Sequence, residues 1–306
     1  ENRNRVFASY LIRLNTKEKE VLPDYLNIFL NCKYGRKELT RKARWAVNQA
    51  NVNAEELKRI ALPIASTSLQ KKVEDAVSQA HSLLTKARST YTEAEQLLLK
   101  EVNLARYEPS QENISVRSFA ESFADNRFDA EYWQPDFDAI QNAIKKNKDG
   151  FDTLVKLFEL SDKKVRIDPE KEYLYAELAD VNSASGTIDN FTALQGKELP
   201  SRGRMALKKN DIIVSSVEGS LEKIALVLSE EKNIIGSTGF FVLRQKAYEP
   251  EVALVLLKSK LIQQLLKRQA QGTILTAIPK TSLPRVLLPK VNKDVQGQIK
   301  EKIARS

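Results

Sequence analysis

The chain has 306 residues, of which 42% are hydrophobic and 29% charged, and it carries a net charge of +9. This length is sufficient for two compact units with hydrophobic cores, and the longest apolar runs are far too short to span a membrane. One cysteine and one histidine exclude an internal disulfide and leave too few ligands for a structural zinc site. We therefore expect a cytoplasmic protein without a metal site.

Basic residues are concentrated in one short segment of the chain. Residues 33–44 contain six cations opposed only by Glu38. Such a cluster is compatible with a polyanionic partner. The six cations are Lys33, Arg36, Lys37, Arg41, Lys42 and Arg44.

The first elements in chain order are short. Residues 7–14 are predicted to form a strand. Residues 23–40 are predicted to form one helix, because Pro23 suits a first helical turn and an apolar stripe follows it. A polar stretch, a helical turn from residue 54 and a strand over residues 60–63 complete this part.

A single long helix is predicted from residue 67 to about residue 105. Apolar residues recur there in alternating steps of about four and three, which is the seam of a coiled coil. A helix of this length, ~60 Å at 1.5 Å per residue, needs a partner for its apolar seam. We predict that the seam consists of Leu69, Val73, Ala80, Ala87, Tyr91, Ala94 and Leu98.

A second set of elements follows the polar break at residues 109–113. Helices are predicted across 136–147 and 151–160, and strands start near residues 173, 211, 223 and 239, with turn residues between them. One helix over 250–268 and a strand over 286–289 come next. Residues 294–306 then begin another long helix, which we expect to pack antiparallel against the long helix near residue 70.

The last of these elements repeat the first. Pro23, Lys33, Leu39 and Arg41 correspond to Pro250, Lys260, Leu266 and Arg268 at an offset of 227 residues, and the copy keeps a basic cluster. Segment 57–63 (LKRIALP) and Gln70 correspond to segment 283–289 (LPRVLLP) and Gln296 at an offset of 226. A repeat this long is a domain plus a connector rather than a solenoid unit.

The order of these segments resembles the specificity subunit of type I restriction-modification enzymes. The resemblance is carried by residues 47–53 (VNQANVN) before segment 57–63, and by residues 271–275 (QGTIL) before segment 283–289. Between the copies it includes residues 127–133 (RFDAEYW), Gly186, residues 207–216 (LKKNDIIVSS) and residues 219–225 (GSLEKIA).

This resemblance implies an α+β fold, in which a target-recognition domain of mixed strands and helices is joined to a long antiparallel coiled-coil helix. The domains would be the end of a first recognition domain (1–66), a coiled-coil spacer (67–108), a second recognition domain (109–290) and the start of a second spacer (291–306). The chain departs from the family pattern, since it lacks the front of the first domain and most of the second helix.

The resemblance also implies function and partners. Each recognition domain would read half of a bipartite double-stranded DNA site. The helices would set the spacing of the two halves and dock adenine methyltransferase subunits, and through them a restriction subunit. DNA recognition needs cations for phosphates and polar side chains for base edges. Our candidates are Arg36, Arg41, Lys42, Arg44, Gln49, Ser201, Arg202, Arg204, Ser216, Lys267, Arg268, Gln271 and Thr273.

Catalytic motifs are absent from the sequence. It has neither the glycine-rich cofactor loop and Asn/Asp-Pro-Pro-aromatic motif of an adenine methyltransferase nor a Walker loop. Phe128 and Trp133 are predicted to be packing residues rather than stacking platforms. We predict a non-catalytic chain that needs no cofactor. Two alternatives stay open: a coiled-coil interaction scaffold that does not bind DNA, and the recognition end of a fused methyltransferase-nuclease.

Overall fold

The computed structural model describes residues 8–17, 20–46 and 49–305, of which residues 45, 46 and 49 are described by their backbone alone. It has the expected α+β composition. The helices are α1 (Pro23–Asn31), α2 (Lys33–Lys42), α3 (Ala54–Lys58), α4 (Thr67–Glu101), α5 (Phe119–Asp125), α6 (Pro135–Lys145), α7 (Leu154–Leu157), α8 (Pro250–Lys258), α9 (Lys260–Arg268) and α10 (Lys293–Arg305).

Strands are short throughout the described residues. They are β1 (Arg44–Ala46), β2 (Gln49–Asn51), β3 (Phe151–Thr153), β4 (Glu159–Ser161), β5 (Glu172–Ala176), β6 (Val181–Asn182), β7 (Thr187–Ile188), β8 (Thr192–Gln195), β9 (Gly203–Ala206), β10 (Ile212–Ser215), β11 (Ile224–Leu226), β12 (Ile234–Ser237), β13 (Phe240–Arg244) and β14 (Leu287–Pro289).

The chain divides into two compact units, Glu1–Ala87 and Arg88–Ser306, and the boundary between them falls within α4. Unit 2 contains two four-stranded sheets with the strand orders β11-β10-β13-β4 and β8-β5-β12-β9. All their pairs are antiparallel except β5 with β12. The apolar residues of α8 and α9 are buried in the main core, beside β10, β11 and β13.

Several predicted elements are wrong in detail. Residues 8–14 and 60–63 are not strands, and Phe7 lies outside the described residues. Residues 151–160 form β3, α7 and the start of β4 instead of one helix. The predicted helices over 23–40 and 250–268 are each broken in two, although neither contains an internal proline at the break.

The two breaks occupy equivalent positions and confirm the predicted repeat. Cys32 and Ser259, which are 227 residues apart, both have extended backbone, with ψ of 168° and 140°. The amide of Cys32 donates to the carbonyls of residues 28 and 29, and that of Ser259 donates to those of residues 255 and 256. The same backbone bonds therefore recur at the same offset.

Gln70 and Gln296 form the same hydrogen-bonded joint in each copy. Gln70 Oε1 accepts from the backbone N–H of residue 22 at 2.8 Å, and its Nε2 donates to the carbonyls of residues 20 and 65. Gln296 Oε1 accepts from the N–H of residue 249 at 2.8 Å, and its Nε2 donates to the carbonyls of residues 247 and 291. Both side chains are buried. We call this arrangement the glutamine joint. It binds the first turn of α4 to the residues that precede α1 in the first copy, and the first turn of α10 to the residues that precede α8 in the second.

Gly35 allows α1 and α2 to approach each other closely. A Cβ atom at this position would lie 2.0 Å from the carbonyl oxygen of Phe29 and 2.7 Å from the Cα of Leu30. Both are backbone atoms, so the overlap is relieved only if one helix moves. A glycine is therefore required at this contact.

Replacing Gly35 by alanine is expected to destabilise unit 1 by about 1–3 kcal/mol, the usual cost of overpacking. Amide hydrogen exchange in α1 and α2 measures the effect. The control is Gly297→Ala in α10, where a Cβ meets nothing within 4 Å; we expect it to stabilise its helix by about 0.5–1 kcal/mol. Unchanged protection of α1 and α2 in Gly35→Ala would contradict the assignment.

The long helix α4 forms as predicted but ends earlier, at Glu101. Asn103 follows in the left-handed region with a φ of 59°. The amide of Leu104 donates to the carbonyl of Leu99, and that of Asn103 donates to Lys100. This is a Schellman termination, in which asparagine takes the position usually held by glycine.

Helix α10 packs against the second half of α4. Lys302 Nζ lies 2.7 Å from Glu93 Oε2, and Ile299 belongs to the same apolar core as Ala94 and Leu98. The prediction that α10 packs near residue 70 is therefore wrong. Contact is made where the apolar seam of α4 is itself buried.

Candidate nucleic-acid interface

In unit 1 the basic residues form a stripe on α2. Arg36 and Lys37 follow Lys33 by three and four residues, and Arg41 follows Lys37 by four, so these side chains share one helix face; all four are exposed. Arg41 pairs with Glu38 at 2.6 Å, on a surface where such pairs contribute little to stability. The stripe remains accessible to a polyanion.

The β1–β2 hairpin directly follows this stripe. Arg44 is exposed at its base and lies opposite Asn51 in the strand register. Lys42 is half-buried and lies 3.3 Å from Glu56, so part of its charge is compensated within the unit. The predicted side-chain role of Gln49 falls outside the described residues.

In unit 2 the predicted loop residues are brought together by backbone hydrogen bonds. Thr238 donates to the carbonyl of Arg202, Ser216 donates to Gly239, and Ile278 donates to Ser216. The hairpin of residues 271–277 is closed by two bonds between Gln271 and Ala277. We call this row the loop rim; it consists of residues 201–204, 216–220, 237–239 and 271–278.

Side chains on the rim differ in their exposure and in their free hydrogen-bonding groups. Ser201, Gln271 and Thr273 are exposed. The hydroxyl of Ser216 is half-buried and donates to the carbonyl of Gly239 at 2.9 Å, so it has lone pairs but no free proton for a base. The rim thus offers polar groups of the kind that read base edges.

Three cations beside the rim, Lys163, Lys164 and Arg166, were not predicted from the sequence, whereas their neighbours Arg202 and Arg204 were. The amide of Val165 donates to the carbonyl of Arg204, and that of Ala206 donates to the carbonyl of Lys163, so residues 163–166 run along β9. The sequence signal was three cations within these four residues. Five exposed side chains form what we call the cation strip: Lys163, Lys164, Arg166, Arg202 and Arg204.

Arg268 does not occupy the surface position that was predicted for it. Its side chain is buried, its Nε donates to the carbonyl of Tyr132 at 3.0 Å, and its guanidinium pairs with Asp138 at 3.3 Å. It also stacks on the Tyr132 ring, 4.5 Å from the centroid. Burial lowers the pKa of this group. Arg268 is a structural cation whose donors are used inside unit 2.

The basic cluster of the second copy is correspondingly small at the surface. Lys258 is half-buried and donates to the carbonyl of Ser183, and burial lowers its pKa. Lys267 is exposed but lies 3.8 Å from Glu218. The two copies therefore do not present equivalent basic faces, and the cluster of exposed cations beside the loop rim of unit 2 lies on residues 163–166 and 202–204 instead.

The predicted seam of α4 is buried only in its second half. Ala94 and Leu98 are fully buried and Tyr91 is half-buried in the core of unit 2. By contrast, Leu69 and Ala80 are exposed, Leu69 by 50%, while Val73 and Ala87 are half-buried. A partner helix for the first half stays a prediction.

Two further predictions concern aromatic residues. Trp133 is half-buried and its Nε1 donates to the carbonyl of Arg127 at 2.9 Å, as expected of a packing residue. Phe128 was also predicted to pack, and this is wrong, because 60% of its surface is exposed.

Among the described residues, no group of three or more His, Cys, Asp or Glu side chains could hold a metal ion, and no helix is long and apolar enough to cross a membrane.

Comparison with known proteins finds similarity only among solved structures. A chain of a type I restriction-modification system is 25% identical with a TM-score of 0.43, and the HsdS subunit from Thermoanaerobacter tengcongensis is 25% identical with a TM-score of 0.42. A type I restriction-modification S subunit from M. genitalium is 22% identical with a TM-score of 0.33.

Each of these matches is partial. It covers 49% of this chain and 39%, 40% and 37% of the three chains in the order given, so the chain matches less than half of their length. No protein-family model matches the chain, and no curated protein matches it.

Proposed function

We propose that this chain is a DNA-recognition and scaffolding module without catalytic activity. The supporting observation is that in each unit a hairpin adjoins exposed cations: the α2 stripe in unit 1 and the cation strip in unit 2. Phosphate contacts from such cations supply affinity and orient a protein on the duplex, while polar loop side chains read base edges. The rim carries both kinds of group.

We further propose that the repeat reflects two recognition domains. Residues 1–66 and 109–290 belong to a first and a second recognition domain that read the halves of a bipartite site. The helices over 67–108 and from 291 set their spacing and dock adenine methyltransferase subunits, which bring a restriction subunit. The chain itself transfers no methyl group, cleaves no strand and binds no cofactor.

One experiment tests whether the chain binds DNA through phosphate contacts. Anisotropy of labelled duplex DNA, titrated with the whole chain at several salt concentrations, should show affinity falling steeply with salt. Neutralising about five phosphates gives a slope of log K against log salt of about −4.5. A slope near zero, or no binding in dilute salt, would exclude DNA recognition.

A second candidate function is favoured by one observation. The exposed first half of the α4 seam, including Leu69, is suited to a helix of another protein. A chain that binds no DNA at any salt concentration but co-purifies in a defined ratio with an added helical partner would be an interaction scaffold. DNA binding with a steep salt slope decides against that alternative.

A further inference from the structure

Helix α5 has an inverted distribution of polar and apolar side chains. Its inward positions hold Ser122, which is buried, and Asp125, which is half-buried. Phe119 and Phe123 point outward, with 72% and 64% of their surface exposed. Full burial of a phenylalanine side chain stabilises the folded state by about 1.5–3 kcal/mol. The hydrophobic effect alone would therefore favour the opposite orientation of α5, with both rings buried.

Polar contacts hold α5 in this orientation. Asp125 accepts a hydrogen bond from the Tyr132 hydroxyl at 2.8 Å and lies 3.7 Å from the Arg285 guanidinium. Ser118 and Glu121 close a capping box at its start, and the left-handed Asn126 ends it. The outward position of the rings is therefore fixed by specific bonds.

The outward rings form one contiguous patch. Phe119 and Phe123 have ring centroids 4.9 Å apart, and Phe128 lies 5.9 Å from the first ring and 5.8 Å from the second. We call these three residues the phenylalanine patch. Contiguous exposed aromatic surface of this kind marks interaction sites, where aromatic anchors dominate binding energy.

Charge around the patch is acidic, in contrast to the chain as a whole. Residues 112–131 contain five carboxylates and two cations, and the only cation from outside this segment that we find paired with α5 in the described part of the chain is Arg285, beside Asp125, whereas the whole chain carries +9. Both cations are already paired: Arg117 with Asp138, and Arg127 with Asp129. A DNA phosphate would be repelled here, while a partner surface with lysine or arginine would be attracted.

We propose that the phenylalanine patch docks a partner protein whose contact face carries apolar side chains ringed by lysine or arginine. The proposal is independent of the DNA-binding function, because it concerns a different and oppositely charged surface. It assigns unit 2 two faces: a basic one along β9 and an acidic, aromatic one on α5.

The test uses two synthetic amphipathic helices about five turns long, one built from leucine and lysine and the other from leucine and glutamate. The whole chain should bind the lysine peptide more tightly, although its net charge would favour the glutamate peptide. The double variant Phe119→Ser/Phe123→Ser should raise the Kd for the lysine peptide about tenfold or more. Glu131→Gln should weaken the same complex to a smaller degree.

Leu228→Ser is the matched control, because this leucine is also exposed, by 58%, but lies outside the patch; its Kd should be unchanged. Thermal unfolding checks that the double variant is folded, and Phe128→Ser replaces it if it is not. Equal binding of the two peptides, or an unaltered Kd in the patch variants, contradicts the proposal.

Two other occupants of the patch would give distinguishable results, and either result would contradict the proposal. If the chain sediments as a dimer that Phe119→Ser/Phe123→Ser dissociates, the patch is a self-interface. If the double variant weakens DNA binding and leaves the lysine peptide unaffected, the rings stack on bases. Loss of DNA binding with retained peptide binding would refute the DNA function alone.

Discussion

Replacing all five residues of the cation strip by alanine should weaken duplex DNA binding in dilute salt by about a hundredfold or more. It should also make the salt slope less negative by up to about 4.5, since each neutralised phosphate contributes about 0.9. The expected effect is this large because the five side chains are exposed to solvent. Anisotropy titrations at several salt concentrations measure both quantities.

A charge-matched variant separates a defined interface from diffuse attraction. Lys145, Lys146, Lys148, Lys209 and Lys232 are five exposed cations away from the loop rim, and replacing them removes the same net charge. We expect their alanine variant to keep nearly the full slope. If both variants lose affinity and slope equally, the cation strip is not a binding surface and the proposed function loses its support in unit 2.

The second large effect concerns the glutamine joint. Gln296→Met should lower the free energy of unfolding of unit 2 by about 2–4 kcal/mol, because it removes the partners of one backbone N–H and two carbonyls without greatly changing side-chain volume. Methionine fills the space but makes none of the three bonds. Denaturant unfolding followed by the fluorescence of Trp133, which lies in unit 2, measures the change.

The chain offers two controls for this result. Gln298 is exposed two positions further along α10, so Gln298→Met should change stability by no more than about 0.5 kcal/mol. Gln70→Met removes the equivalent joint in unit 1 and should reduce amide protection in α1 while the Trp133 transition stays in place. A Gln296→Met chain as stable as the Gln298→Met chain would show that the joint is incidental.

Much of the local structure follows from spacing in the sequence. Pro23 and Pro250 begin helices, the steps of three and four from residue 69 specify a long helix, and the paired glutamines reveal the repeat. These features depend on neighbours within a few turns or on identity between copies. A single sequence contains both kinds of information, so the order of elements could be predicted.

The breaks at Cys32 and Ser259 illustrate what could not be predicted. Neither residue is a helix breaker, and an apolar stripe continues across each of them. Equivalent backbone bonds close the first helix and open the second in both copies, so the break belongs to the packing of the repeated element. The glycine at position 35 is visible in the sequence. Only its close contact with the backbone of α1 in the structure shows why a glycine is needed there.

Helix periodicity, the duplication and the positive charge can be recognised from the sequence alone, because they are properties of composition and local order. Which charges and rings face solvent depends on the tertiary packing. Arg268 is buried by Tyr132, 136 residues away, while Phe128 is held outside with the other two rings. Burial is set by contacts between segments distant in the chain, and no local pattern encodes which of two similar side chains those contacts will cover.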